Sequence, residues 1–236
     1  MRKRFLAFTL SEVLVVLVII GIVAGLTIPS VITDFQKKTT ATSLKKAYTD
    51  ISQAVKLSEI YNGPVTRWVW ATQATTHTAE EAFNKYWKPY FKTIKLCPHW
   101  RDCGYEANNG SAFLYKMLLS PGQYSSFSVQ SNGSRSLFVL ANGSIIFIVS
   151  GNTNTGGVLS CVNTIFIDLN GTKEPNTIGK DVFTFQTSLT SSQGVVSYKA
   201  DETNLCNKGE TDHYASYYCA GRIMQDGWQI TDDYPW

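Results

Sequence analysis

From Val13 to Ile28 the chain reads VLVVLVIIGIVAGLTI, without a single charge. With its flanks this run approaches the ~20 residues that span a bilayer. A carboxylate, Glu12, stands at its mouth. A charged side chain in hydrocarbon costs at least ~2.5–3.5 kcal/mol and is ordinarily paired or functional. Whatever the chain folds into must therefore compensate Glu12.

The rest of the composition suits a packed head. The 236 residues are 44% hydrophobic and 13% aromatic, enough for one globular domain plus an appendage. The net charge of +3 comes from Arg2, Lys3 and Arg4; beyond residue 7, 18 basic residues face 18 acidic ones. That balance argues against a broad nucleic-acid surface. By the positive-inside rule the basic tripeptide stays cytoplasmic, which puts everything after Pro29 outside. The five cysteines then lie where disulfides persist, and their odd number leaves at least one without an intrachain partner.

Residues alone allow two plain readings of the N-terminus. One is a secretory signal peptide with Val23-Ala24-Gly25 as its cleavage site. The other is an uncleaved signal anchor. Neither accounts for Glu12. The whole pattern of basic leader, small Ala7, Phe8-Thr9-Leu10-Ser11-Glu12, apolar run and Pro29 resembles the prepilin cleavage and methylation signal. Type IV pilins, type II secretion pseudopilins and competence pseudopilins share that signal.

The resemblance implies a cut between Ala7 and Phe8 by a prepilin peptidase that also methylates the new N-terminus of Phe8. It implies that Glu12 of one subunit meets the Phe8 amine of its neighbour in a filament, where a wrong register would leave a charge unpaired. The implied partners are further copies, other pilin-like subunits, the peptidase/N-methyltransferase and an inner-membrane assembly platform. Nucleic acid is implied only for a competence pseudopilin. Before assembly the subunit would sit in the bacterial cytoplasmic membrane, single-pass with its N-terminus inside, the head being periplasmic or in an extracellular filament. The other class of function is a membrane-anchored extracytoplasmic binding protein for carbohydrate, DNA or surfaces.

Beyond Pro29, Leu44, Ala47, Tyr48, Ile51, Ala54, Val55 and Ser58 recur at spacings of three and four, predicting an amphipathic continuation of the same helix. Asn62-Gly63-Pro64 should stop it. Pro29 should kink or loosen it. Thr78-Ala79-Glu80-Glu81 is a capping-box pattern. The stripe Phe83, Tyr86, Trp87, Tyr90, Phe91 behind it reads as a core face that Pro89 bends or divides. SLFVLANGSIIFIVS (136–150) predicts a hairpin about Asn142-Gly143; Asn109-Gly110, Asn132-Gly133 and Asn170-Gly171 add turns. TIFID (164–168) and DVFTFQT (181–187) read as strands. The expectation is a pilin-like α+β fold divided into a leader (1–7), a membrane or filament-core helix (8–32), its amphipathic continuation (33–61) and a head with an antiparallel sheet (62–236).

IDLNGTKEPNTIGKDVF (167–183) resembles a block near the end of prepilin-type heads, and some major pseudopilins bind calcium near here. Asp168, Asn170 and Asp181 offer the hard oxygens calcium takes. The alternative is a loop ordered by side-chain turns and a Lys–Asp contact. Calcium is the only cofactor in view. Cys97-Pro-His-Trp-Arg-Asp-Cys103 invites zinc through His99, but two cysteines and one histidine fall short of four ligands, so a small disulfide loop is expected. The resemblance to pilins, which tie C-terminal loops, implies a Cys206–Cys219 bridge. Cys161 stays either free or a competitor. His77, His99 and His213 belong to no nucleophile or phosphate motif, and the chain reads as a non-enzyme. Trp228, Tyr234 and Trp236 should pack the tail on the head.

Overall fold

The computed structural model describes residues 9–68, 79–106, 113–127, 135–155, 158–187, 194–198, 206–212 and 214–236. The leader, Ala7, Phe8, His77, Thr78, Asn109-Gly110, Asn132-Gly133 and His213 lie outside them. The architecture is α+β: a long N-terminal helix, α1 (Leu10–Asn62), and a sheet domain. Compactness divides the chain into one unit ending at Thr39 and a second from Thr40 to Trp236.

In the first unit α1 is helical through Pro29, and none of the described residues up to Thr39 is buried. Thr27 and Thr33 turn their hydroxyls onto the carbonyls of Val23 and Pro29, at 2.9 and 3.0 Å, so both polar groups are satisfied within the helix. This stretch is long and apolar enough to cross a membrane.

In the second unit α1 has a buried face of Ala41, Leu44, Ala47, Ile51, Ala54, Val55 and Ser58, the stripe its periodicity predicts with Ala41 added and Tyr48 only half-buried at its edge. The helix ends at Asn62, where Gly63 takes a left-handed φ of 79° and donates its N–H to the Glu59 carbonyl. Helix α2 (Ala79–Tyr86) follows, then a 3₁₀ turn, Lys88–Tyr90, that holds Pro89. Phe83, Tyr86 and Trp87 are buried; Tyr90 instead stacks on the exposed Tyr61 with ring centroids 6.1 Å apart. The stripe is a core face with one member at its rim.

Nine strands are described, all in one sheet: β1 (Thr93–Cys97), β2 (Phe113–Met117), β3 (Tyr124–Phe127), β4 (Arg135–Leu140), β5 (Ile145–Thr155), β6 (Val158–Asp168), β7 (Thr177–Ile178), β8 (Val182–Thr187) and β9 (Val195–Ser197). Their order is β1-β4-β5-β6-β8-β7-β2-β3, with β9 also on β8. The pairings are antiparallel except those of β7 with β2 and β8, which are parallel. Thus β2 is joined to the sheet through a two-residue strand some sixty positions downstream.

Both faces of the central strands are buried. Phe138, Ile146, Ile148, Ile165, Ile167, Phe183 and Phe185 pack with Leu44, Ile51 and Val55 of α1 and with Phe83 and Trp87 of α2. Leu137, Ile145, Phe147, Phe166 and Val182 form a second cluster with Trp100, Phe113 and Tyr115. The period-two alternation therefore assigns residues to two cores rather than to core and solvent. The 3₁₀ turn Ala215–Tyr218 and α3 (Cys219–Gln225) bring the tail onto the first cluster, where Tyr234 is buried and Trp228 and Trp236 are half-buried.

Candidate functional site

Two places carry the predicted site residues. The first is the start of α1. Thr9 precedes the helix, and its N–H and hydroxyl both donate to Glu12 Oε2, at 2.8 and 2.7 Å. The Glu12 N–H returns a bond to Thr9 Oγ1 at 3.3 Å. This is a capping box, and Thr9-x-x-Glu12 spells its pattern in the sequence, a signal that the membrane reading of this stretch passes over. Within a single chain the carboxylate is thus held by two donors from the residue that opens the helix.

The second place is the connection from β6 to β8. Asp181 sits under the loop and accepts from the Asn176 N–H (2.9 Å), the Thr177 N–H (2.6 Å) and Asn170 Nδ2 (3.2 Å). Asn176 has a left-handed φ of 51°, a conformation asparagine tolerates better than most residues. Asp168 is fully buried at the end of β6, where Tyr105 donates its hydroxyl to Oδ2 at 2.8 Å and shares a 2.7 Å bond with the Tyr115 hydroxyl. Burial raises the Asp168 carboxyl well above its ordinary range, and the Tyr105 hydrogen bond only partly opposes that. Burial likewise raises Asp181, and both tyrosines well above theirs.

The structure brings Asn170 and Asp181 together and attaches Asp168 to the tyrosine pair. Three buried side-chain oxygens on this block, Oδ1 of Asp168, Asn170 and Asn176, have no hydrogen-bond partner. Such orphans suit a hard cation. Asp181, by contrast, already accepts three hydrogen bonds, and among the described residues no three His, Cys, Asp or Glu side chains converge. The two tyrosines were not readable as members of this cluster: Tyr105 and Tyr115 lie more than fifty residues upstream.

The Asn170-Gly171 turn of this block touches the Asn142-Gly143 turn between β4 and β5. Gly143 has a φ of 86°, and Asn142 keeps a negative φ while its Oδ1 accepts from the Ser144 N–H at 3.1 Å, so the β4–β5 connection is a turn closed by a left-handed glycine. A Cβ on Gly171 would lie 2.9 Å from the Gly143 carbonyl oxygen. The Ser144 hydroxyl reaches the Leu169 carbonyl at 3.3 Å.

Disulfides join Cys97 to Cys103 and Cys206 to Cys219, with Cα atoms 5.7 and 5.0 Å apart. His99 caps the 3₁₀ turn Trp100–Cys103 by accepting from the Arg101 N–H at 3.2 Å, while Asp102 accepts from the His99 N–H at 2.9 Å. The zinc alternative therefore fails: the histidine is spent on the backbone and both thiols on each other. Cys161 lies in β6 opposite Asn152. In the tail, Arg222 holds Asp226 and Asp233, and Tyr234 donates its hydroxyl to the Gly179 carbonyl.

Comparison with known families adds two matches. Residues 2–28 match the prokaryotic N-terminal methylation motif, which makes the chain a precursor of the pilin and pseudopilin type, with an apolar anchoring helix and a prepilin peptidase as its processing partner. No curated protein and no solved structure matches. Residues 30–236, most of the chain, match a family of unknown function (DUF6613), and with that match the chain belongs to this family, set behind a methylation motif.

Proposed function

We propose that the protein is a structural subunit, pilin-like or a pseudopilin, of a type IV pilus or type II secretion-type filament, and that it has no catalytic role. Processing falls between Ala7 and Phe8, with methylation of Phe8, and the assembled form is a filament held by the N-terminal helices. The observation that carries this reading is Glu12, a carboxylate within the methylation motif at the mouth of the apolar stretch of α1, in which no described residue up to Thr39 is buried. In a lone subunit Thr9 satisfies it. In a filament the Phe8 amine of a neighbour offers a full opposite charge, and a misregistered neighbour would leave two ions unpaired in a low-dielectric core. The head then faces the periplasm or the outside, consistent with its two disulfides.

The test uses differently tagged full-length copies in one cell, with the N-terminus of each read by intact mass. Glu12→Leu should be cleaved and inserted like wild type, because removing a charge only makes the segment more apolar. Its co-purification with the other copy should fall sharply, since breaking one side of a buried pair costs ~3–5 kcal/mol. Glu12→Gln should be impaired less. Normal assembly of Glu12→Leu would favour the membrane-anchored binding protein instead.

The same proposal extends to calcium at the β6–β8 loop. The expected ligands are Asp168, Asn170 and Asp181, and the reading is supported by the orphaned side-chain oxygens of Asp168 and Asn170, with that of Asn176 in the same loop.

A further inference from the structure

A cleft of about 450 Å³ opens where three segments of the globular unit meet: Gly104–Glu106, the strands β2 and β3, and residues 172–176. That size falls within the range of small-molecule sites. Its character is unusual, because polar groups dominate the walls. Lys116 and Tyr124 are direct cross-strand partners and so project on the same side of the β2–β3 pair. Lys116 Nζ makes a 2.7 Å ion pair with Glu174 Oε2 from the facing loop. Tyr124 is 45% exposed, a large aromatic ring left in water beside that pair. Glu106 and Thr172 complete the rim.

The walls are fixed. The Lys116 N–H donates to the Asn176 carbonyl at 2.9 Å, pinning the loop to β2. Asn176 is held in turn by Asp181 and by its own Nδ2 on the Thr172 carbonyl. The Cys97–Cys103 bridge lies immediately before the third wall. A loop whose backbone is already pinned loses little backbone entropy on binding.

We infer that this cleft is a carbohydrate-binding site for neutral pyranose units of an extracellular glycan, with the Tyr124 ring as the platform for a sugar face and Glu174, Lys116 and Glu106 as partners for its hydroxyls. The chemistry points to that class for three reasons. An exposed tyrosine offers an apolar face to the C–H side of a sugar ring and a hydroxyl to its edge. Charged carboxylates and an ammonium make stronger hydrogen bonds to hydroxyls than neutral groups do. Among the residues lining the cleft two carboxylates, Glu106 and Glu174, face one lysine, Lys116, a balance that disfavours phosphate, sulfate and uronate ligands. The cleft lies wholly within the second unit, so the inference stands or falls independently of how the N-terminal helix is used.

The experiment applies the full chain, purified in detergent, to an array of neutral, uronate-containing and sulfated oligosaccharides, followed by titration with the best neutral trisaccharide. Binding should be confined to neutral glycans. Tyr124→Ala and Glu174→Gln should each weaken it by about ten-fold or more, Tyr124→Phe should retain most of it, and Tyr61→Ala, outside the cleft, should change nothing. Circular dichroism checks that each variant is folded. Should no neutral glycan bind, should acidic glycans bind better, or should folded Tyr124→Ala bind like wild type, the inference is overturned.

Discussion

Gly171 and the carbonyl of Gly143 are pressed so closely that a Cβ at position 171 would sit 2.9 Å from the carbonyl oxygen. Two Asn-Gly turns, separated by the whole β5–β6 hairpin, thus depend on each other. Gly171 also has a φ of 71°. Gly171→Ala should therefore cost about 2–4 kcal/mol, combining a left-handed alanine with a backbone clash that no flexible side chain can relieve. Gly122, which is also left-handed but has nothing within 4 Å, supplies the control; Gly122→Ala should cost only the conformational part, about 1–2 kcal/mol. Denaturant unfolding of the two variants separates the terms.

The Asp168 carboxyl makes the head unusually sensitive to rising pH. Its folded-state pKa is raised by burial, so its stability contribution is fully present below about pH 4, where the unfolded group titrates, and is lost as pH rises through the higher folded value. Asp181 adds in the same direction. Asp168→Asn should flatten the acid-to-neutral part of the stability profile and leave the protein at least as stable as wild type at pH 8. A profile that falls between pH 4 and pH 8 as steeply in this variant as in wild type would assign the effect elsewhere.

The two disulfides should contribute unequally. Chain-entropy arguments give about 3 kcal/mol for the thirteen-residue separation of Cys206–Cys219 and nearer 2 kcal/mol for the six-residue separation of Cys97–Cys103. Paired Cys→Ser variants, unfolded under identical conditions, should rank in that order. Cys206 and Cys219 are both fully buried whereas Cys103 is half-buried, which widens the gap.

Millimolar calcium should raise the melting temperature of the full chain, because a ligand that binds only the folded state stabilises it. Asn170→Ala should abolish the shift. An unchanged melting temperature in wild type would leave the loop as one ordered by Asp181 alone.

Legibility followed the range of the interactions. The buried face of α1, the Asn142-Gly143 hairpin and the aromatic stripe of α2 are all local patterns, and periodicity reveals them. Strands β1, β2, β3, β7 and β9 carry no such mark. They are two to five residues long, and Ile178 of β7 is a strand residue only because Met117 and Val182 flank it. The outer half of β5, Ser150 to Thr155, is written in Gly, Asn, Ser and Thr, which read as loop, yet it pairs with β6 as far as Thr155 and Val158. The Tyr105–Tyr115–Asp168 cluster was hidden for the same reason: only the parallel joining of β2 to β7 brings those residues near.

Tyr234 is buried and donates its hydroxyl to the Gly179 carbonyl. Gly179 is itself crowded: a Cβ there would meet Leu118 at 2.9 Å and Cys219 at 3.0 Å. The head therefore closes around a residue synthesised about two hundred positions after the apolar run that ends at Ile28. While the ribosome still covers Tyr234, the N-terminal segment has long been available to the membrane. Anchoring precedes folding, and nascent heads must be kept from associating through an unfinished core during that interval.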